Sequence, residues 1–387
     1  MSPRLHPAWT TAIVIAFVAA IATPGAVMLA RLDPEPAQAE NRELAPAPAP
    51  PVSWAAAWAF PAAASRYFED HFGLRARLVR WQAELRLGLL RVSASPDVIV
   101  GRDGWLFYAG DGASEDIASA VPFTPAELEL WRATLQHTYD WLRARHIAYV
   151  FVVAPDKHQI YPEELPPSVH RVGTETRTDG LVRYLRAHST VPVLDLRPAL
   201  LAAKANERVY HRTDTHWNDR GAYVAYAAIV RALGVAGEPE PRASFDTPSV
   251  RVPGLDLARM LGVTRALGEE DLPLDPRQPR RARIVEPPRP DARLMDARLV
   301  TEQTDRSGPR AVVFRDSFGS ALIPFLSEHF SRVVYLWQYN LDPDVVLAEH
   351  PDVVIQEWVG RRLSTMPPYD PFATRSGESG RSGGAGR

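Results

Sequence analysis

The sequence predicts an α/β domain built on a mostly parallel sheet. Three observations carry this. Short apolar runs recur at Ile147–Val153, Val191–Leu196, Ala311–Phe314, Arg332–Trp337 and Asp352–Ile355. Helical stretches such as Arg220–Leu233 and Ser320–His329 separate several of them. The runs are continuous rather than alternating, as expected of strands covered on both faces.

The chain opens with a candidate membrane segment. From Trp9 to Ala30 it reads WTTAIVIAFVAAIATPGAVMLA, with no charge until Arg31. About twenty apolar residues suffice to span a bilayer as a helix. Arg4 and His6 precede it, while Asp33, Glu35 and Glu40 follow. The positive-inside rule keeps the short tail in the cytoplasm and exports the bulk. A cleaved signal peptide is the other reading, with Ala37-Gln38-Ala39 as a cleavage site well past the apolar run.

These features divide the chain into a membrane anchor or signal segment (1–32), a Pro/Ala-rich linker (33–52), a folded domain (53–365) and a disordered tail (366–387). The linker carries Pro34, Pro36, Pro46, Pro48, Pro50 and Pro51 and reads as an extended spacer. The tail is mostly Gly, Ser and Arg.

Within the domain, Leu74, Leu78, Trp81, Leu85 and Leu89 recur at steps of three and four and predict a helix with a core-facing stripe. Gly101-Arg-Asp-Gly104 is a turn leading into a short strand at Trp105–Tyr108. Thr124-Pro125-Ala126-Glu127 is a capping box that starts a helix with Leu128, Trp131, Leu135 and Leu142 on its apolar face. Residues 236–309 are rich in Pro and charge and read as a long excursion with little regular structure, placed to wall a cleft.

Composition narrows the function. A net charge of −2 gives no basic footprint, so nucleic acid is not the expected partner. The absence of cysteine removes thiol nucleophiles, thiolate metal sites and disulfides together.

Two motifs carry candidate chemistry. In Thr213-Asp214-Thr215-His216-Trp217-Asn218, Asp214 and His216 are two apart, so in an extended segment they point the same way. A carboxylate so placed can orient an imidazole as general base. A lone D-x-H is a weak signal, and a metal or structural histidine near a helix start is its plainer reading; His211 and Asp219 raise a metal site that no wider ligand cluster supports. In Val312-Val-Phe-Arg-Asp-Ser317-Phe-Gly319, an apolar strand runs into Ser317 and a helix. Open α/β sheets bind ligands at that edge, and the Ser317 N–H would face an oxyanion there. An N-cap serine, with Asp316 in the same role, explains the same residues. Together the motifs offer what an activated serine needs: a nucleophile, a base and an orienting acid.

The Asp-Thr-His-Trp and Arg-Asp-Ser-Phe-Gly motifs resemble those of the AlgJ/AlgX family of alginate O-acetyltransferases and its DHHW-type relatives. Further segments resemble the family in the same order: Glu40-Asn-Arg-Glu-Leu44, Phe68-Glu-Asp-His-Phe-Gly-Leu-Arg75, Gly101-Arg-Asp-Gly-Trp-Leu-Phe107, Pro155-Asp156-Lys157 with Tyr161-Pro162-Glu163, and Asp256-Leu257-Ala258. The resemblance implies an SGNH-hydrolase-like three-layer domain with rearranged motif order, Asp and His preceding Ser. It implies a triad of Ser317, His216 and Asp214 that passes an acetyl group onto a hydroxyl of an exported polysaccharide. It also implies a membrane-bound O-acyltransferase partner and a periplasmic site at the inner membrane. Arg315 stands where most SGNH enzymes have glycine. Asn340, Tyr339, Gln338, Arg315 and Trp217 are candidates for the oxyanion hole or substrate contact, and Trp217, Trp337 and Trp358 for sugar stacking or core. No metal and no cofactor are expected. An acetyl-esterase with the same triad and a non-catalytic polysaccharide-binding scaffold are the alternatives.

Overall fold

The computed structural model describes residues 7–30, 32, 45–288 and 298–373. The segments Ala37-Gln-Ala39 and Glu40–Leu44, most of the expected linker before residue 45, and the Gly/Ser/Arg tail lie outside them. The chain forms two compact units, residues 1–95 with 258–266, and residues 96–257 with 267–387.

The first unit is helical. Pro7–Ala30 is one helix, and its segment Ala8–Ala30 is long and apolar enough to cross a membrane. Ser53 caps the helix Trp54–His71, its hydroxyl accepting from Ala56 N. The helix Arg75–Leu85 follows and continues into a π-turn, Arg86–Leu90. Gly73 joins the two at a close approach: its N–H donates to Pro24 O (3.2 Å), and a Cβ there would lie 2.4 Å from that oxygen. The predicted stripe exists as a helix face, but it is not core. Leu78, Trp81, Leu85 and Leu89 are 39%, 64%, 61% and 73% exposed. Fully burying such a side chain is worth about 1.5–3 kcal/mol, so this face forgoes a substantial gain while it stays in water.

The second unit holds a seven-stranded sheet. In chain order its strands are β1 (Ala148–Ala154), β2 (Val193–Asp195), β3 (Ala282–Glu286), β4 (Arg298–Gln303), β5 (Arg310–Arg315), β6 (Arg332–Trp337) and β7 (Val353–Val359). The spatial order is β2-β1-β7-β5-β6-β4-β3. The first five are mutually parallel, and β4 runs antiparallel to both of its neighbours.

Strand alternation feeds two cores. Val150, Val152, Val313, Val333, Val353 and Ile355 pack with Trp217, Tyr226 and Ile229 around the helix Asp219–Leu233. Phe151, Val153, Val312, Phe314, Val354 and Trp358 pack on the other side with Trp131 and Leu135 of Pro125–Arg143 and Leu181 of Arg177–His188. The sheet is therefore covered by helices on both faces, which is why its strands read as unbroken apolar runs.

The stretch 236–309 is more ordered than its composition suggests. It supplies β3 and β4, and two small antiparallel pairs, Phe245–Asp246 with Asp275–Pro276 and Val250–Val252 with Glu269–Asp271. The parallel strands β1, β5, β6 and β7 all end at one edge. The segments that follow them begin with Pro155, Asp316, Gln338 and Gly360.

Candidate active site

Ser317 follows β5, and its neighbours fix the turn. Asp316 accepts from Phe318 N (2.8 Å) through one oxygen and from Val359 N (2.9 Å) through the other. Asp316 N donates to Glu357 Oε2 (3.0 Å), and Ser320 N donates to the Ser317 carbonyl. None of these bonds uses the Ser317 N–H.

His216 and Asp214 come from the loop between Tyr210 and Trp217, which pair as an antiparallel bridge at its base. His216 Nε2 lies 2.7 Å from Ser317 Oγ, and Nδ1 lies 2.7 Å from Asp214 Oδ1. The His216 backbone N–H also donates to Asp214 Oδ1 (2.9 Å). The Phe318 ring packs 4.8 Å from the imidazole. Asn218 caps the next helix, its side chain accepting from Gly221 N. Three sequence-predicted residues thus form one hydrogen-bonded line.

The loop is gripped from two sides. Lys157, three residues past the C-terminal end of β1 and the first of the short helix Lys157–Ile160, is buried with Nζ beneath the loop. It donates to the carbonyls of His211 (3.0 Å), Arg212 (3.1 Å) and Asp214 (2.5 Å). The rings of Trp105 and Phe107 lie 5.6 and 5.4 Å from the ammonium. Glu269 supplies the acceptors: it takes Arg212 N (2.6 Å) and Thr213 N (3.0 Å) on one oxygen and His211 Nδ1 (3.0 Å) on the other. Asp256 takes Thr215 N (2.8 Å). Sequence reasoning quoted Lys157 and Asp256 only as parts of family motifs and gave them no role. Glu269 was missed, since a lone glutamate in a charged, Pro-rich stretch carries no local signal.

The electrostatics follow from these contacts. Burial would raise the Asp214 carboxyl, but the hydrogen bonds and charge of His216 outweigh it and hold Asp214 well below the usual carboxylate range. Burial raises Asp256, and the Asp214 charge beside it adds to the rise. Burial pulls Lys157 down to about 7 against the charges of Asp214, Asp256 and Glu269. Ligand atoms of Asp214, His216 and Asp256 lie within 4.8 Å of one another. Both ring nitrogens of His216 are already engaged, so in this arrangement it has no lone pair to give a cation.

The remaining candidates lie elsewhere. Arg315 is buried. Its Nη1 donates to Asp316 O (3.0 Å) and Ser320 Oγ (2.8 Å), and its guanidinium covers Trp337 at 4.7 Å. It braces the turn from within. Trp217 is 1% exposed and meets Phe318 edge-on at 5.0 Å, and Trp358 is fully buried. No sugar reaches either ring. The carbonyl of Tyr339 accepts from Gln356 and Trp358, Asn340 accepts from Tyr369 N, and Gln338 donates to Asn340 O. Gln338, Tyr339 and Asn340 share a cavity of about 520 Å³ whose walls include none of the triad residues. A cavity of about 720 Å³, lined among others by Asp116, His158, Arg171 and Arg197, likewise excludes them. His216 and Asp214 instead retain 28% and 17% side-chain exposure.

A doubly covered, mostly parallel sheet with Ser, His and Asp aligned at its C-terminal edge defines an SGNH-hydrolase-like protein. A family model described as the SGNH hydrolase-like domain of the acetyltransferase AlgX matches residues 98–306, and the chain belongs to that family. The match contains Asp214, His216 and Asp256 and ends before Ser317.

Among similar proteins, the probable alginate O-acetylase AlgJ of Pseudomonas syringae pv. tomato is 30% identical over 186 residues, 46% of this chain and 44% of the relative. The AlgJ of Pseudomonas aeruginosa is 32% identical over 162 residues, 40% and 38% of the two chains. The matches span less than half the length of these relatives. The structure of Bacillus cereus PatB1 with a sulfonyl adduct superposes with a TM-score of 0.51 at 17% identity, covering 68% of this chain and 97% of that one. It shares the fold.

Proposed function

We propose that this protein is a polysaccharide O-acetyltransferase that works through an acetyl-serine at Ser317. The observation that carries the reading is the line Ser317 Oγ–His216–Asp214, with 2.7 Å at both joints. It is supported by membership of an acetyltransferase family and by likeness to relatives named as alginate O-acetylases.

In the first step His216 Nε2 takes the Ser317 proton as Oγ attacks the acetyl carbonyl of the donor. The Ser317 N–H, which the turn's bonds described above do not use, would be the donor to the developing oxyanion. The tetrahedral intermediate collapses, His216 returns the proton to the leaving group, and acetyl remains on Ser317. A sugar hydroxyl then gives its proton to His216, attacks the acetyl-serine, and leaves as the acetate ester while Oγ is reprotonated. Asp214 stays ionised, fixes the imidazole tautomer and stabilises the imidazolium.

The helix Pro7–Ala30 is read as an inner-membrane anchor holding the enzyme on the periplasmic side. There a membrane-bound O-acyltransferase would deliver acetyl groups. A second reading, acetyl-esterase, is favoured by one observation: the partly exposed imidazole lets water compete with the sugar.

The test uses the full chain in detergent, with p-nitrophenyl acetate as donor and an oligosaccharide as acceptor, beside Ser317→Ala and His216→Ala. Acetylated sugar from the wild type and from neither variant is the expected result. Acetate alone, still dependent on Ser317, moves the assignment to the esterase. Turnover surviving in Ser317→Ala removes the acetyl-serine.

A further inference from the structure

We propose that the helices of residues 54–71 and 75–90 lie on the bilayer surface, with their exposed apolar stripes in the headgroup boundary of the membrane that holds Pro7–Ala30. This rests on reading that first helix as membrane-spanning.

The first observation is the pattern of exposure. On the second helix, Leu78, Trp81, Leu85 and Leu89 follow one another at steps of three and four, and all face outward. On the first, Trp54, Trp58 and Phe68 share a stripe and are 86%, 84% and 51% exposed. Isolated apolar side chains on a surface need no explanation, but two ordered stripes on consecutive helices do.

The second observation is chemical. Residues 54–92 contain six arginines, at 66, 75, 77, 80, 86 and 91, against three acids, Glu69, Asp70 and Glu84. The excess lies on the second helix and its end, where an apolar face with tryptophan on a basic helix is the composition that partitions to an anionic membrane surface; the first helix carries Arg66 against Glu69 and Asp70 and adds its apolar stripe. Indole rings favour that boundary because one edge is polar and the body is not.

The third observation is position. Ala8–Ala30 is 23 residues, so it spans about 35 Å at 1.5 Å per residue. A hydrocarbon core is about 30 Å thick, so the last turn of that helix stands among the headgroups. Gly73 meets the last two turns of that helix: its N–H bonds to Pro24 O, and a Cβ would lie 2.7 Å from Met28 N. The turn between the two amphipathic helices is therefore fastened near one end of the span, at the boundary between hydrocarbon and headgroups. A second copy of the chain would also cover an apolar stripe, but neither the arginine excess nor this depth calls for one.

The chain has no cysteine, so single-site labelling is clean. Trp58→Cys, Trp81→Cys and Leu89→Cys would each carry an environment-sensitive NBD dye. Ile15→Cys serves as membrane control and Ser307→Cys, on an exposed loop, as aqueous control. The full-length proteins are reconstituted in phosphatidylethanolamine/phosphatidylglycerol vesicles with and without brominated acyl chains.

The expected result is blue-shifted emission at 58, 81 and 89, quenched at least twofold by bromolipid, with Ile15 quenched and Ser307 untouched. Quenching at Ile15 while 58, 81 and 89 behave like Ser307 overturns the proposal and leaves the anchor standing. A blue shift at those sites without bromolipid quenching also overturns it, in favour of protein covering protein. No quenching at Ile15 removes the anchor and the proposal with it.

Discussion

Lys157 shows how much of this site depends on a residue that never touches the nucleophile. Its ammonium has three hydrogens and meets three loop carbonyls. Lys157→Met keeps the linear shape and leaves those carbonyls without a donor, each a buried acceptor that costs about 1–3 kcal/mol when unpaired. We expect kcat for acetyl transfer to fall ten- to a hundredfold, with KM for a small ester little changed, because the loop holding Asp214 and His216 loosens. Burial places Lys157 near 7, so as pH rises past that value Nζ loses its third hydrogen and one carbonyl goes unpaired. The wild type should lose activity there, and Lys157→Met should lack that alkaline decline. A decline that persists in the variant excludes Lys157 as its source. Asp214→Asn should cost about 10²–10⁴ in kcat by leaving the wrong tautomer on His216. Its folded value lies below its unfolded one, so the stability it contributes is fully present above about pH 4 and fades as pH falls further. Acid unfolding of Asp214→Asn should therefore be less steep than that of the wild type. That Ser317, His216 and Asp214 would come together was legible because each belongs to a short motif with a distinct local pattern. Glu269 was not, since its role comes from a contact 56 to 58 residues away along the chain.

At the scale of elements, the strands that both cores cover could be read directly, because a strand buried on two faces has few polar positions to obscure it. β4 could not. Its sequence Arg-Leu-Val-Thr-Glu-Gln mixes polar with apolar residues, and it enters the sheet through antiparallel pairing with β6. The stripe of residues 74–89 was legible as a helix face, but periodicity reports that a face is apolar and says nothing of what covers it. β7 carries its own prediction. Glu357 is fully buried in it, and burial with the adjacent Asp316 charge pushes its carboxyl well above the usual range. For such a group the folded state holds a proton that the unfolded chain releases. Stability is then lost as pH rises from about 4.5 through the folded value. Glu357→Gln keeps an acceptor for Asp316 N without that titration. Its melting temperature should gain on the wild type as pH goes from 5 to 8, and a constant difference across that range would show that Glu357 is not the titrating group. Glu349 works in the opposite sense. It accepts from Arg298 (2.6 Å), Arg310 (3.2 Å) and Arg332 (2.9 Å), at the starts of β4, β5 and β6, and its carboxyl is held down to about 2. Glu349→Ala leaves three guanidinium groups facing one another and should lower stability by about 2–4 kcal/mol in urea unfolding.

For the whole molecule, the feature that bears on acceptor choice is the partial exposure of His216 and Asp214, 28% and 17% of their side chains. A small substrate is normally gripped by a pocket that buries most of its surface. Here the imidazole keeps 28% of its side chain exposed, so on the proposed mechanism water has access to the acetyl-serine. An acceptor that wins against water has to collect its binding energy along the surface, over several residues of a polymer. Transfer to sugar should therefore depend on acceptor length while acetylation of Ser317 does not. We expect the ratio of acetylated sugar to free acetate to rise about tenfold or more from a monosaccharide to an octasaccharide at equal molar concentration. Tenfold corresponds to about 1.4 kcal/mol of added acceptor binding. The burst of p-nitrophenol that reports acetylation should be the same throughout. Mass spectrometry of the sugar, with acetate release in the same samples, gives the ratio. A ratio independent of length would mean that a single ring carries all the recognition, which would require a pocket that closes over Ser317 when the acceptor arrives.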